Sequence, residues 1–74
     1  MTLREARRGR RVRIVAIADD TCRAQCVRFG IGEGTVIDSA ETLPLGPVLV
    51  RHRRQELCLG RRLAGRIRVE EVGG

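Results

Sequence analysis

A chain of 74 residues has room for one small domain that buries only about 60–65% of its unfolded surface, too little for a core plus a deep substrate cleft. Phe29 is the only aromatic residue, so the core must come from Val, Ile, Leu, Ala and Cys, and stacking on nucleobases has almost nothing to work with. The net charge is +6 and every basic residue is arginine, which reads either as a footprint for an acidic partner, nucleic acid or lipid or as solvated cations written by a GC-rich coding bias.

No apolar run approaches the roughly 20 residues of a membrane span. The start, Met1 to Glu5, lacks the apolar segment of a signal peptide. Three cysteines, an odd number, argue against a disulfide framework and for a reducing compartment. A cytoplasmic protein with one domain over residues 1–74 is expected.

Thr2 to Arg8 reads as one helical turn, with Thr2 as N-cap, Glu5 closing a capping box and Leu3 and Ala6 packing inward. Arg11 to Ile17 begins with strict alternation and ends in a continuous apolar run, a strand with one face buried first and then both. Asp19-Asp20-Thr21 starts a short helix whose Cys22, Cys26 and Phe29 share a core-facing side, with Val27 beside them. Gly30 fits the C′ position, with Ile31 folding back in a Schellman motif. Thr35 to Glu41 is a second strand, weakly patterned. Leu43-Pro44-Leu45-Gly46-Pro47 is a turn, Val48 to His52 a third strand, Arg53 to Glu56 a polar reversal and Leu57 to Leu59 a fourth strand. Gly60 to Gly65 is a short connector, Arg66 to Val69 a fifth strand reaching toward Val72, and Gly73-Gly74 a frayed tail. Five short strands, one short inserted helix and tight turns imply a mostly-β, partly open SH3-like barrel.

Catalytic machinery is not evident. His52 is the single histidine and lies in a basic strand end, and Asp19-Asp20 serves more simply as turn and helix cap than as an acid–base pair. Gly30-Ile31-Gly32-Glu33-Gly34 follows a helix rather than a strand and lacks the Lys-Ser/Thr ending of a P-loop, so nucleotide binding is not expected. Cys22 and Cys26, at i and i+4, would present both thiols on one helix face and, with His52 and Cys58, could in principle form a soft tetrahedral iron or zinc site. Against this, the two cysteines share their face with Phe29 as core positions do. A reversal of two or four residues after His52 also places His52 with Leu57 and Leu59 while Cys58 points away. No catalytic residue, no cofactor and no metal site are expected, with Cys22, Cys26 and His52 the weak metal candidates.

The order of the pieces resembles the FeoA family, the small cytosolic component of bacterial ferrous-iron transport systems. The likeness runs from Leu3 to Val69. It takes in Leu3 and Gly9, the strand positions Val12, Ile14 and Ile17, and the loop Phe29-Gly30-Ile31-Gly32-Glu33-Gly34. The turn Pro44 to Pro47 and the closing positions Leu59, Ala64, Ile67 and Val69 complete it. Glu33 replaces a usual proline, implying a less rigid loop. Arg54 replaces a frequent turn glycine, implying a longer hairpin turn. Ser39 and His52 stand at usually apolar positions, and Cys26 and Cys58 at positions usually filled by Leu and Ala, which favours core thiols.

The resemblance implies an SH3-like barrel with an inserted helix and no enzymatic activity. It also implies work beside FeoB, the ferrous-iron permease with its own GTP-binding domain, so that the chain would reach the membrane only through that partner. Exposed-looking Leu43 and Leu45, with Arg51, Arg53 and Arg54 steering toward acidic groups, are the expected contact residues, though Leu43 and Leu45 serve equally well as a cap on the barrel end. Alternatives are a transition-metal-binding sensor using Cys22, Cys26 and His52, or a basic nucleic-acid-binding barrel without specific base readout. A homo-oligomer is compatible with all of these.

Overall fold

Alternation of apolar and charged side chains makes β1 (Val12–Ile17) a strand that buries Val12, Ile14 and Ile17 and exposes Arg13. In the computed structural model, which describes residues 1–73, the second half of β1 is not buried on both faces as its apolar run implied; Gly74, the end of the expected tail, lies outside the described residues. The register with β6 (Ile67–Glu71) shifts between Ile14 and Ala16. Val15, 40% exposed, faces solvent as the alternation from Ile14 requires, and the bulge after it resets the alternation so that Ile17, not Ala16, is the next residue fully buried.

Asp19 accepts a hydrogen bond from the Cys22 N–H at 2.8 Å and so caps α1 (Asp20–Arg28). The helix closes with the expected Schellman pair: the Gly30 N–H donates to Val27 O and the Ile31 N–H to Cys26 O, both at 3.0 Å, with Gly30 at φ 75°. The loop beyond carries Glu33, which accepts from the Ile17 N–H at 3.2 Å and meets Arg23 at 3.5 Å. The residue that replaces proline therefore ties the loop to both β1 and α1. The Cys22 N–H, and to a smaller degree Arg66, hold the Asp19 carboxyl below its usual range. A depressed folded-state pKa stabilises above the unfolded value and is lost as pH falls through the folded one. Asp19→Ala should therefore lower the melting temperature at pH 7, and the gap should narrow below about pH 4, as thermal melts across pH would show.

The single strand expected over Thr35 to Glu41 is two: β2 (Val36–Ile37), paired with β1, and β3 (Ser39–Thr42), paired with β4 (Val48–His52). The break at Asp38 passes the chain from one sheet to the other, so the barrel has six strands, in two three-stranded sheets ordered β2-β1-β6 and β3-β4-β5. The Asp38 N–H donates to Arg51 O at 2.9 Å, and its carboxylate accepts from the Arg53 N–H at 2.8 Å. That second bond holds the turn between β4 and β5 (Gln55–Leu59), which has two residues instead of the longer reversal expected. Arg53 takes φ 58° there, a conformation that costs a non-glycine residue about 1–2 kcal/mol. Arg53→Gly should recover part of this, raising stability by about 0.5–1 kcal/mol in a denaturant titration.

Leu3, in the N-terminal 3₁₀ turn (Leu3–Glu5), joins Ile14, Ile37, Leu59 and Ile67 in the fully buried core. The expected capping contact is present, the Thr2 N–H donating to Glu5 Oε1 at 2.7 Å. Met1 and Thr2 continue the sheet beyond β6 through a Thr2–Arg68 bridge and a Val69 N–H bond to Met1 O at 2.8 Å. The connector after β5 is a single turn of helix, α2 (Arg61–Ala64), which buries Ala64. Phe29, expected in the core, is not there: it follows the last residue of α1 as its C-cap and is 36% exposed, with Val27 beside it at 67%.

Candidate docking surface

The expected contact residues do not form one patch. Leu45 stands 94% exposed at the tip of the β3–β4 loop, while Leu43 is half-buried. Two bonds close the loop, from the Leu43 N–H to Pro47 O at 2.8 Å and from the Gly46 N–H to Leu43 O at 2.9 Å. Gly46 has φ 109°, and a Cβ there would come within 2.9 Å of Arg61 Cδ, so α2 leans on this loop. Arg53 and Arg54 lie at the other end of β4, about 13 Å away at the usual rise per strand residue. Arg51, between them, is held by Glu56 at 2.6 Å.

Nor are the metal candidates gathered. Cys22 and Cys26 are buried on the inner side of α1, and burial pushes both thiols up; the Asp19 carboxylate adds to this at Cys22. Both thiols pack as small apolar groups against the barrel core. His52 Nδ1 lies 3.1 Å from Val36 O. Cys58 is exposed, contrary to the expected core position: it pairs with Leu49, while Leu57 and Leu59 pair with Val50 and Val48 on the inward-facing side of the hairpin. Among the described residues, no group of three or more His, Cys, Asp or Glu side chains is placed to hold a metal ion.

What the helix ends build instead is a trough. Between α1 and α2 runs an open groove of about 630 Å³, lined among others by Gln25, Arg28, Phe29, Arg62, Leu63 and Arg66. On the far side of Phe29 a second groove of about 570 Å³ continues past Val27 and Gly30 to Gln55, Glu56 and Leu57 of β5. Arg28 and Phe29 line both grooves. The surface thus joins an apolar strip (Val27, Phe29, Leu57, Leu63) to a basic rim.

Electrostatics sharpen the rim. The chain has nine carboxylate side chains, and each is engaged. Asp19 pairs with Arg66, Asp20 and Glu33 with Arg23, Glu41 with Arg8, Glu56 with Arg51, Glu70 with Arg13 and Glu71 with Arg7. Glu5 and Asp38 accept from backbone N–H groups. Among the described residues Arg28 and Arg62, which line the trough, have no such partner, and neither does Arg54 in the turn before β5, so the trough carries uncompensated positive charge. The sequence signal for this surface was Val27 and Phe29 themselves: two residues apart, they point away from one another on a helix, so both cannot lie on the face of Cys22 and Cys26.

Residues 1–71 match the FeoA domain. The chain belongs to the FeoA domain family. Ferrous-iron transport is the family's role, and the mostly-β, SH3-like fold is the one expected for it. A crystal structure of an iron uptake regulatory protein, FeoA, superposes with a TM-score of 0.84 at 26% identity, covering 97% of this chain and 96% of that one. The structure of ScaR with bound zinc superposes with a TM-score of 0.83 at 21% identity over 97% of this chain, a likeness of fold that takes in 37% of the ScaR chain. No curated protein matches the chain. No helix among the described residues is long and apolar enough to cross a membrane.

Proposed function

We propose that this FeoA-family chain is a non-enzymatic accessory of ferrous-iron uptake that acts in the cytoplasm by binding the cytosolic part of a FeoB-type permease. The observation that carries the reading is the family match over residues 1–71 on a chain whose α1, α2 and β5 border a trough with an apolar strip and an uncompensated arginine rim. Such a surface suits contact with a protein: apolar side chains supply the affinity, and rim charges supply steering and orientation. Iron is cargo in this reading, moved by the partner.

Isothermal titration of the folded chain with the purified cytosolic regions of the permease tests it. A micromolar Kd is expected, weakening a few-fold between 50 and 200 mM salt as rim charges are screened. A loss of about 10³-fold or more over that range would instead mark a phosphate-dominated, nucleic-acid-like interaction. No detectable association between folded components would refute the reading.

A further inference from the structure

The barrel leaves one strand edge open, and it is the edge that borders the trough. β6 is covered by Met1 and Thr2. β3 lies under the N-terminal 3₁₀ turn, with Thr42 Oγ1 donating to Arg4 O at 2.9 Å. The β2 side is tied to β4 through the His52 ring at Val36 O and the Asp38 N–H bond to Arg51 O. β5 pairs with β4 alone.

Its two-residue turn fixes which backbone groups are spent. Gln55 closes the hairpin opposite His52, so Gln55, Leu57 and Leu59 bond to β4, and the N–H and C=O of Glu56 and Cys58 point outward. Among the described residues no backbone partner meets those outward groups. The groove beside Glu56 has Val27, Arg28, Phe29 and Gly30 as its opposite wall, and Cys58 continues the edge beyond it. Proteins usually blunt an open edge with proline, lysine or a bulge; β5, reading Gln-Glu-Leu-Cys-Leu, has none of these.

We infer that β5 is the docking edge: an extended, acidic segment of the partner adds to it as a further antiparallel or parallel strand, between β5 and the C-terminal end of α1. The inference rests on the docking reading above and names the surface and the chemistry of what binds. Strand addition supplies main-chain bonds at Glu56 and Cys58, and alternate side chains of the added segment fall into the trough against Val27, Phe29 and Leu57. The acidic character follows from charge complementarity. Arg28 in the groove wall and Arg54 at the start of the edge lack carboxylate partners among the described residues, and the one nearby carboxylate, Glu56, is occupied by Arg51 at 2.6 Å. A second copy of this chain would bring the same arginines to the same edge and repel itself there.

Amide hydrogen exchange on the intact chain, with and without the purified cytosolic regions of the permease, reads the edge directly. With free partner at 100 times Kd, the Glu56 and Cys58 amides should slow by up to about 100-fold, because exchange then proceeds from the unbound fraction. Cys58→Pro, which removes an outward N–H at an edge position where proline is tolerated, and Arg28→Glu/Arg54→Glu should each weaken binding tenfold or more, and Leu45→Asp should leave it unchanged. Binding of the wild-type chain with unaltered Glu56 and Cys58 exchange and undiminished affinity in the double charge reversal would overturn the edge assignment while leaving the docking reading intact. No binding at all would remove both. Protection of the two amides in the chain alone, growing with its own concentration, would identify a self-paired edge and overturn the acidic segment.

Discussion

Ile14→Ala should cost about 2–5 kcal/mol of folding stability, as large-to-small changes at fully buried aliphatic positions do. Ile14 is 0% exposed in the middle of β1, the strand that joins β2 and β6. Its backbone is pinned on the α1–β2 loop side, the N–H donating to Thr35 O at 2.9 Å and the carbonyl accepting from the Gly34 N–H at 2.7 Å. The site therefore cannot collapse by sliding β1 inward, and the cavity stays open. A domain of this length has about 4–11 kcal/mol of total stability, so the variant should lose a large share of it. Chemical denaturation with matched m-values measures the loss. A cost under about 1 kcal/mol would mean that the core repacks freely around β1.

Cys26→Ser should cost about 1–3 kcal/mol, the usual penalty for a buried hydroxyl left without a partner, while Cys58→Ser should change stability by less than about 0.5 kcal/mol, as exposed substitutions do. Cys26 is 0% exposed against the barrel core, where a thiol behaves as a small apolar group; Cys58 faces solvent. The contrast also separates the core reading of the helix cysteines from a ligand reading. In the core reading, zinc or ferrous iron added to the wild-type chain leaves its melting temperature unchanged. A metal-dependent rise that Cys26→Ser abolishes would restore the sensor alternative.

Much of the fold was legible in local chemistry. Alternation in Val12 to Ile14, the Asp19 cap, the glycine at the end of α1 and the capping contact of Thr2 and Glu5 each specify a conformation within a few residues. What escaped depended on partners distant in sequence. The bulge at Val15 exists because β6 pairs out of step with β1. The break at Asp38 exists because Arg51 and Arg53 claim its N–H and its carboxylate. The hairpin turn stayed short despite lacking glycine because that same carboxylate holds Arg53 in a left-handed conformation.

Less of the surface was legible. Leu43, Leu45, Arg51, Arg53 and Arg54 were neighbours in sequence pattern but lie at opposite ends of a hairpin, and the β3–β4 loop folds Leu43 half under itself. The trough depends on α1, α2 and β5 converging around Phe29, of which the sequence carries only the geometric misfit of Val27 and Phe29 on one helix face. The lone aromatic residue looked like core because its spacing from Cys22 and Cys26 fits a helix face; it stands at the very end of that face, as the C-cap, where it is 36% exposed.

Ferrous-iron uptake by cells that carry the permease, supplied with either the wild-type chain or the folded double variant Phe29→Asp/Arg62→Glu, bears most directly on the claim that this chain acts by contact through the trough. Arg62 lies on the exposed rim and Phe29, at the end of α1, is 36% exposed, so the double variant should stay folded with at most a modest fall in melting temperature, which circular dichroism and thermal melts check before uptake is read. Uptake with the double variant should fall to the level of cells without the chain. Uptake equal to that with the wild-type chain would place the working surface elsewhere.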